Sequence, residues 1–169
     1  MSPIRSLRVA LGLGATLVAA CSGSASTAPP TRALAITVTP AVTSVRAGAT
    51  VPVSFTVATT GLAPLVVYGG GCRTRVELRT ATGGPVEGYA DRACTLECAA
   101  ERFEPGRPRT FEGRLSTRPW SNRLQREVPL APGTYQVVAV VDGTRDDCDA
   151  DARTRVLVES PPATIEVTR

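Results

Sequence analysis

The chain has 169 residues, of which 19 are basic and 15 are acidic, so its formal net charge is +4. All the basic residues are arginines, and the signal-like first 20 residues contain two of them, which leaves 17 against 15 acidic residues. That surplus is too small to predict a nucleic-acid partner. The absence of histidine excludes Ser-His-Asp and Cys-His nucleophile systems and histidine-ligated zinc or haem. We therefore expect a protein that is not an enzyme, with no cofactor and no metal.

The first 20 residues have the parts of an export signal. Arg5 and Arg8 supply a positive start, and an apolar run follows over residues 9–20. At ~1.5 Å per residue, a helix of that length falls far short of the ~30 Å hydrocarbon core, so it suits a cleaved signal. The run ends in Val18-Ala19-Ala20-Cys21, which resembles the lipobox of bacterial lipoproteins, with Val where Leu is usual. An ordinary secretory signal cut after Ala20 is the alternative.

The lipobox resemblance implies cleavage before Cys21 and a diacylglycerol on its thiol, which anchors the protein to a membrane. The cysteine count agrees, because five cysteines are odd for an exported protein and an even four remain without Cys21. Ser22, rather than Asp, follows the cysteine, which implies the outer membrane in an organism that has one. Residues 21–32 are small, polar or proline and predict a flexible tether. The predicted location is the bacterial cell envelope.

Residues 33–169 predict one all-β domain. Apolar residues alternate with polar or smaller ones over residues 34–39, 51–57, 75–79, 110–115, 135–141, 152–159 and 164–168. Turn signals lie between them at residues 46–48, 69–71, 82–85, 105–106 and 131–133. Helix-forming residues predict a single short helix over Thr95 to Arg102. Short strands at this spacing favour an antiparallel β-sandwich.

One set of segments resembles a known family. The segment Pro132-Gly133-Thr134-Tyr135 looks like the "PGTY" start of a late strand in bacterial immunoglobulin-like domains. The order of Val53–Val57, Pro64–Val67, Gly83–Val86, Phe103–Gly106 with Phe111, and then this segment is similar to the BsuPI family. That family is named for an intracellular proteinase inhibitor, and the resemblance, over about residues 50–141, implies an immunoglobulin-like sandwich. It also implies proteinase inhibition as an alternative function, although no reactive-loop motif is present to carry over.

The four remaining cysteines, Cys72, Cys94, Cys98 and Cys148, allow two interpretations. In an oxidising compartment they predict two disulfides. Four cysteines allow three pairings, of which we favour Cys72–Cys94 with Cys98–Cys148. The alternative is a zinc site with four thiolates, but paired C-x2–4-C knuckles are missing at both ends.

A group of acidic residues, Asp142, Asp146, Asp147, Asp149 and Asp151, lies in a predicted loop. Alternating carboxylates are ligands that Ca²⁺ accepts. However, Ala152 and Val158 stand where an EF-hand loop beginning at Asp147 needs Gly and Glu, and Arg145, Arg153 and Arg155 neutralise the cluster. We therefore expect a solvated loop.

An arginine-rich segment contains the only tryptophan, Trp120. Its arginines are Arg102, Arg107, Arg109, Arg114, Arg118, Arg123 and Arg126. An exposed tryptophan flanked by Arg118 and Arg123 has the composition of a binding hot spot for a protein, a sugar or an anionic surface. The same composition has a simpler explanation, in which Trp120 caps the core. The arginines are then solvated or pair with Glu101, Glu104, Glu112 and Glu127. The function we predict is a lipid-anchored, non-catalytic binding or structural module whose partner is an envelope protein or glycan.

Overall fold

The computed structural model describes residues 33–89, 95, 97–148 and 155–169. Its strands are β1 (Leu34–Pro40), β2 (Ser44–Arg46), β3 (Thr50–Thr59), β4 (Leu65–Gly69), β5 (Thr74–Thr80), β6 (Ala99–Phe103), β7 (Arg109–Ser116), β8 (Trp120–Ser121), β9 (Arg126–Glu127), β10 (Gly133–Thr144), β11 (Arg155–Glu159) and β12 (Ala163–Thr168). Each of the seven predicted alternating segments overlaps one strand, in order β1, β3, β5, β7, β10, β11 and β12. The first three residues of the segment 152–159 lie outside the described residues.

Two sheets pack face to face, which confirms the predicted all-β sandwich. The smaller sheet has the order β1-β3-β7, and both of its pairings are antiparallel. The larger sheet is built around β10, which has β12 and β11 along one edge and β5 and β4 along the other. At the two margins of this sheet, β6 pairs with β4 and β2 pairs with β12. The pairing of β2 with β12 is parallel, a departure from the antiparallel expectation.

The core lies between the inward faces of the two sheets. Val137, Ala139 and Val141 of β10 pack in one cluster with Val53, Phe55 and Val57 of β3. The sheets approach closely at Gly113, where any Cβ would lie 2.5 Å from Cγ2 of Val76. A side chain at position 113 would therefore force the sheets apart, so glycine is required there for packing.

The predicted helix over Thr95 to Arg102 is wrong, because Ala99–Phe103 forms β6 and pairs with β4. Glu101 and Phe103 are buried, whereas Ala100 and Arg102, which alternate with them along the strand, are exposed. This period of two suits a strand whose alternate residues face the sandwich. Helix propensity is only a weak preference, and pairing with an open strand edge has overridden it.

The three glycines at residues 69–71 form an outward bulge rather than a chain-reversing turn. Tyr68 pairs with Thr144, and Thr74 pairs with Val141, so five residues of one strand face two of the other. Strands β4 and β5 therefore run in the same direction as each other, and both are antiparallel to β10. The backbone N–H of Gly71 donates to the carbonyl of Thr95 at 3.1 Å, which holds the bulge against the segment before β6.

Candidate functional site

The segment that leaves β7 is fastened to the end of the sandwich. Thr117 is completely buried, and its hydroxyl donates to the carbonyl of Ala49 at 2.8 Å. Its backbone N–H donates to the same carbonyl at 2.8 Å, and its own carbonyl accepts from the N–H of Leu130 at 2.8 Å. These bonds fix both ends of the chain between β7 and β10. The residues in between form a small hairpin, in which β8 pairs with β9. We call residues 119–128 the Trp120 hairpin.

Trp120 lies on this hairpin, with 47% of its surface exposed, and is absent from the core cluster. The interpretation that Trp120 caps the core is therefore wrong. Its strand has only two residues, and it pairs with Glu127 across the hairpin instead of with a strand of either sheet. The side chain is consequently held beside the sandwich and not between its sheets.

Glu87 holds the tip of the Trp120 hairpin. Its carboxylate accepts from the hydroxyl of Ser121 at 3.0 Å and from the backbone N–H of Arg123 at 3.3 Å. The Ser121 hydroxyl oxygen in turn accepts from the N–H of Leu124 at 3.3 Å. The bonds from Arg123 and Ser121 stabilise the ionised form and lower the pKa of Glu87. The carboxylate thus acts as a clamp on the loop, and sequence reasoning did not single it out.

The backbone beside Glu87 is pressed against the hairpin. Gly88 has a φ of 81°, a conformation that residues with a Cβ rarely adopt. A Cβ at this position would also overlap the carbonyl oxygen of Trp120 and lie 3.2 Å from Cβ of Pro119. Glycine therefore lets residues 86–89 pass under the hairpin at contact distance. The glycine is visible in the sequence, but its contact with Trp120 is not.

A cleft of about 210 Å³ opens beside Trp120. Its apolar lining includes Val86, Pro119, Val128, Pro129 and Leu130, and its charged lining is Glu87 and Arg123. Two of the predicted binding residues, Trp120 and Arg123, are therefore brought together in one cleft. Arg118 is not part of it: its guanidinium lies over the turn at Gly48, 3.5 Å from where a Cβ of that glycine would be.

The arginines of the segment differ in their partners. Arg102 pairs with Glu104, and Arg109 pairs with Glu101, which confirms the expected pairing for these two. Arg109 also lies over the ring of Phe111, 5.4 Å from its centroid. Within the described part of the chain, Arg118 and Arg123 have no carboxylate at ion-pair distance, and neither Glu112 nor Glu127 forms an ion pair.

The predicted Cys98–Cys148 disulfide is present, with the two Cα atoms 5.7 Å apart. Cys72 is also disulfide-bonded, but Cys94 lies outside the described residues, so the pair Cys72–Cys94 stays a prediction. Cys98, Asp147 and Cys148 bring their ligand atoms within 4.8 Å of one another. Both sulfurs belong to the disulfide, however, so neither is available as a thiolate to a metal.

The first carboxylate of the acidic loop is held by arginines. Asp142 accepts from Nε of Arg155 at 3.1 Å and from Nη2 of the same side chain at 3.2 Å. Arg75 approaches the second oxygen at 3.5 Å. Asp149 and Asp151 lie outside the described residues. Of the arginines predicted to neutralise the acidic cluster, Arg155 therefore does so at Asp142.

The signal segment, Cys21 and the tether also lie outside the described residues. In the part of the chain that the structure describes, no helix is long and apolar enough to cross a membrane.

Neither a protein-family model nor a curated protein matches the chain. Solved structures match the chain at low identity. A β-glucosidase from Erythrobacter marinus matches at 15% identity and a TM-score of 0.46, over 80% of this chain and 15% of the enzyme. A β-glucosidase from Listeria innocua in complex with glucose matches at 14% and 0.42, over 79% of this chain and 16% of the enzyme. The sporulation control protein Spo0M from Bacillus subtilis matches at 13% and 0.40, over 81% of this chain and 50% of that one.

Proposed function

We propose that this chain is a lipid-anchored protein of the bacterial cell envelope whose β-sandwich binds a partner through the Trp120 hairpin. The observation that carries the binding role is the exposure of Trp120, at 47%, on a hairpin that Glu87 and Thr117 fasten to the domain. A large aromatic side chain that is exposed but rigidly mounted contributes contact area at little cost in conformational entropy. Such side chains are enriched among residues that dominate binding energies.

The cleft favours binding over chemistry. Its carboxylate, Glu87, is occupied by the hydroxyl of Ser121 and the N–H of Arg123, and these bonds lower its pKa. A group held in its ionised form does not donate a proton near neutral pH, so it is unsuited to general acid catalysis. We therefore propose that the cleft binds a ligand and that Glu87 holds the hairpin instead of transferring a proton.

The start of the domain and the chain that enters the Trp120 hairpin lie at opposite ends of β3. Leu34, where the domain begins, pairs with Thr59 at one end of β3. Ser116, which leads into the hairpin, pairs with Thr50 at the other end. Because β3 has 10 residues, its ends are separated by ~30 Å.

Lipidation is tested by expressing the full chain in a bacterial host. The wild type should partition into detergent and gain the mass of an acylated glyceride, and Cys21→Ser should abolish both, because the thiol is the acceptor. Cys72→Ser serves as a control, since this cysteine is disulfide-bonded in the domain and its loss should leave partitioning unchanged. A soluble wild-type product with a free thiol at Cys21 would contradict the anchor.

Binding is tested with the mature wild-type protein in detergent micelles and delipidated envelope fragments. The affinity for these fragments, measured by cosedimentation, should be at least ~30-fold lower for Trp120→Ala than for the wild type, as expected for a binding hot spot. The control is Leu62→Ala, because Leu62 is a fully exposed apolar residue at 101% that lies outside the cleft. Equal losses for both variants would indicate non-specific adhesion and would refute recognition through Trp120.

A further inference from the structure

The cleft beside Trp120 offers a ligand two unoccupied groups. One is the exposed part of the indole of Trp120, and the other is the guanidinium of Arg123, which has no ion-pair partner among the described residues. The negative group of the cleft, Glu87, already accepts bonds from Ser121 and the backbone of Arg123. A ligand therefore meets an apolar face and an available positive charge.

These two groups differ in what they attract. The face of an indole carries a partial negative charge and favours the slightly positive C–H groups of a flat, partly apolar ring. A guanidinium presents donors in a planar fork that matches the two oxygens of a carboxylate. A ligand that satisfies both has a ring with a C–H face and an attached carboxylate.

A peptide ligand fits the cleft less well. Peptides that add a strand need an open strand edge to pair with, and β8 and β9 have only two residues each. Peptides in the polyproline conformation bind grooves lined with several aromatic side chains, whereas Trp120 is the sole aromatic residue of this lining.

Resting on the proposed binding function, we infer that the Trp120 cleft binds an acidic carbohydrate. The indole of Trp120 stacks on one face of a sugar ring, and Arg123 pairs with the carboxylate of that sugar or of its neighbour. The residues around them, from Pro119 to Leu130, exclude water from the edge of the ring.

The test is calorimetric titration of the full mature protein with three probes. These are a galacturonic acid trimer, a neutral glucose trimer and a short polyglutamate. The acidic sugar should bind at least ~10-fold more tightly than the neutral one, because one charge-assisted pair is lost with the carboxylate. It should also bind more tightly than polyglutamate, which has carboxylates but no ring to stack.

Two variants separate the groups. Arg123→Gln should lower the affinity for the acidic sugar by about 10-fold and leave the affinity for the neutral sugar unchanged. Trp120→Ala should lower the affinity for both sugars by at least ~30-fold. The matched control is Arg107→Gln, which removes an exposed arginine from the turn before β7 and should change neither affinity.

Each other outcome overturns the inference. Equal affinities for the acidic and the neutral sugar would show that Arg123 does not recognise a carboxylate. An affinity for polyglutamate equal to or higher than that for the acidic sugar would show attraction by charge alone. If no sugar binds but envelope fragments still bind in a Trp120-dependent way, the ligand is not an acidic carbohydrate and the proposed binding function survives. If Trp120→Ala affects neither assay, both proposals fail.

Discussion

Two surfaces of this domain combine arginine with apolar side chains: the outer face of the larger sheet and the Trp120 hairpin. The apolar side chains are buried on the first and exposed on the second. On the outer face of the larger sheet, Val138 and Val140 are buried although they are not part of the core cluster. Their cross-strand neighbours are Arg75, Glu77 and Glu159. On the Trp120 hairpin, by contrast, the apolar group is exposed.

The difference lies in whether the arginines have partners. Arg79 lies between two carboxylates, 2.6 Å from Glu159 and 3.0 Å from Glu77, and Glu77 also pairs with Arg75 at 2.8 Å. These bonds raise the pKa of Arg79 and link charged side chains on the strands that flank Val138 and Val140. Arg123 has no such partner in the described residues. Paired arginines cover a protein surface, whereas an unpaired arginine beside an exposed aromatic residue leaves groups for a ligand.

The largest effect is expected beneath the paired arginines. Val140→Ala should lower the free energy of unfolding by about 2 kcal/mol, because the removed methyl groups come from a fully buried position. Leu157→Ala on the same face should cost less than about 0.5 kcal/mol, because Leu157 is 50% exposed. Urea denaturation measures both. Similar costs for the two variants would show that the charged side chains do not cover the valines.

A smaller loss of stability is expected at the hairpin. Trp120→Ala should lower the free energy of unfolding by less than about 2 kcal/mol, below the ~3–5 kcal/mol of a fully buried tryptophan, because 47% of its surface is exposed and it is not part of the core cluster. Since Trp120 is the only tryptophan, native fluorescence reports on it directly and should be red-shifted and readily quenched by acrylamide. A blue-shifted, protected emission would place the indole in an apolar environment and contradict an exposed recognition residue.

The ion pairs of the covered face should show a modest acid dependence. The bond from Arg79 lowers the pKa of Glu159 below its unfolded value of ~4.3. The stabilisation is therefore complete above that value and is lost as the pH falls through the folded pKa. Because Glu159 is 41% exposed, Glu159→Gln should cost only a few tenths of a kcal/mol at pH 7. The difference between wild type and variant should vanish at strongly acid pH, and a difference that persists there would rule out this ion pair as its cause.

The most local effect is expected at Glu87. Its pKa is lowered by the bonds from Arg123 and Ser121, so these bonds weaken as the pH falls through that lowered pKa and the carboxylate is protonated. Trp120 fluorescence anisotropy should fall over that range, while the far-ultraviolet circular dichroism of the sandwich stays constant. Glu87→Gln should lower the anisotropy at pH 7 and remove its pH dependence. An unchanged acid transition in this variant would show that another group controls the hairpin.

Much of the sandwich was predictable because its signal is local. Residues such as Val51, Val53 and Phe55 alternate along β3, and the pleat sends alternate side chains to opposite faces. Strand β6 was missed because its local signal is misleading. Ala99 to Phe103 has helix-forming residues, and its strand structure depends on pairing with β4. Strand β4 has a continuous apolar run from Leu65 to Tyr68 with no period to detect.

What the sequence by itself determined was therefore the fold class and most strand positions, whereas the Cys98–Cys148 pair was one of three possible pairings until the structure was known. The tertiary structure decided which apolar residues are covered and which arginines are paired. Trp120 and Glu87 are far apart in sequence, and only the packing of residues 86–89 under the hairpin places their segments in contact. Exposure and pairing depend on neighbours from distant parts of the chain, so no local pattern encodes them. Alternation is a property of a single strand, which is why the sequence alone was sufficient for it.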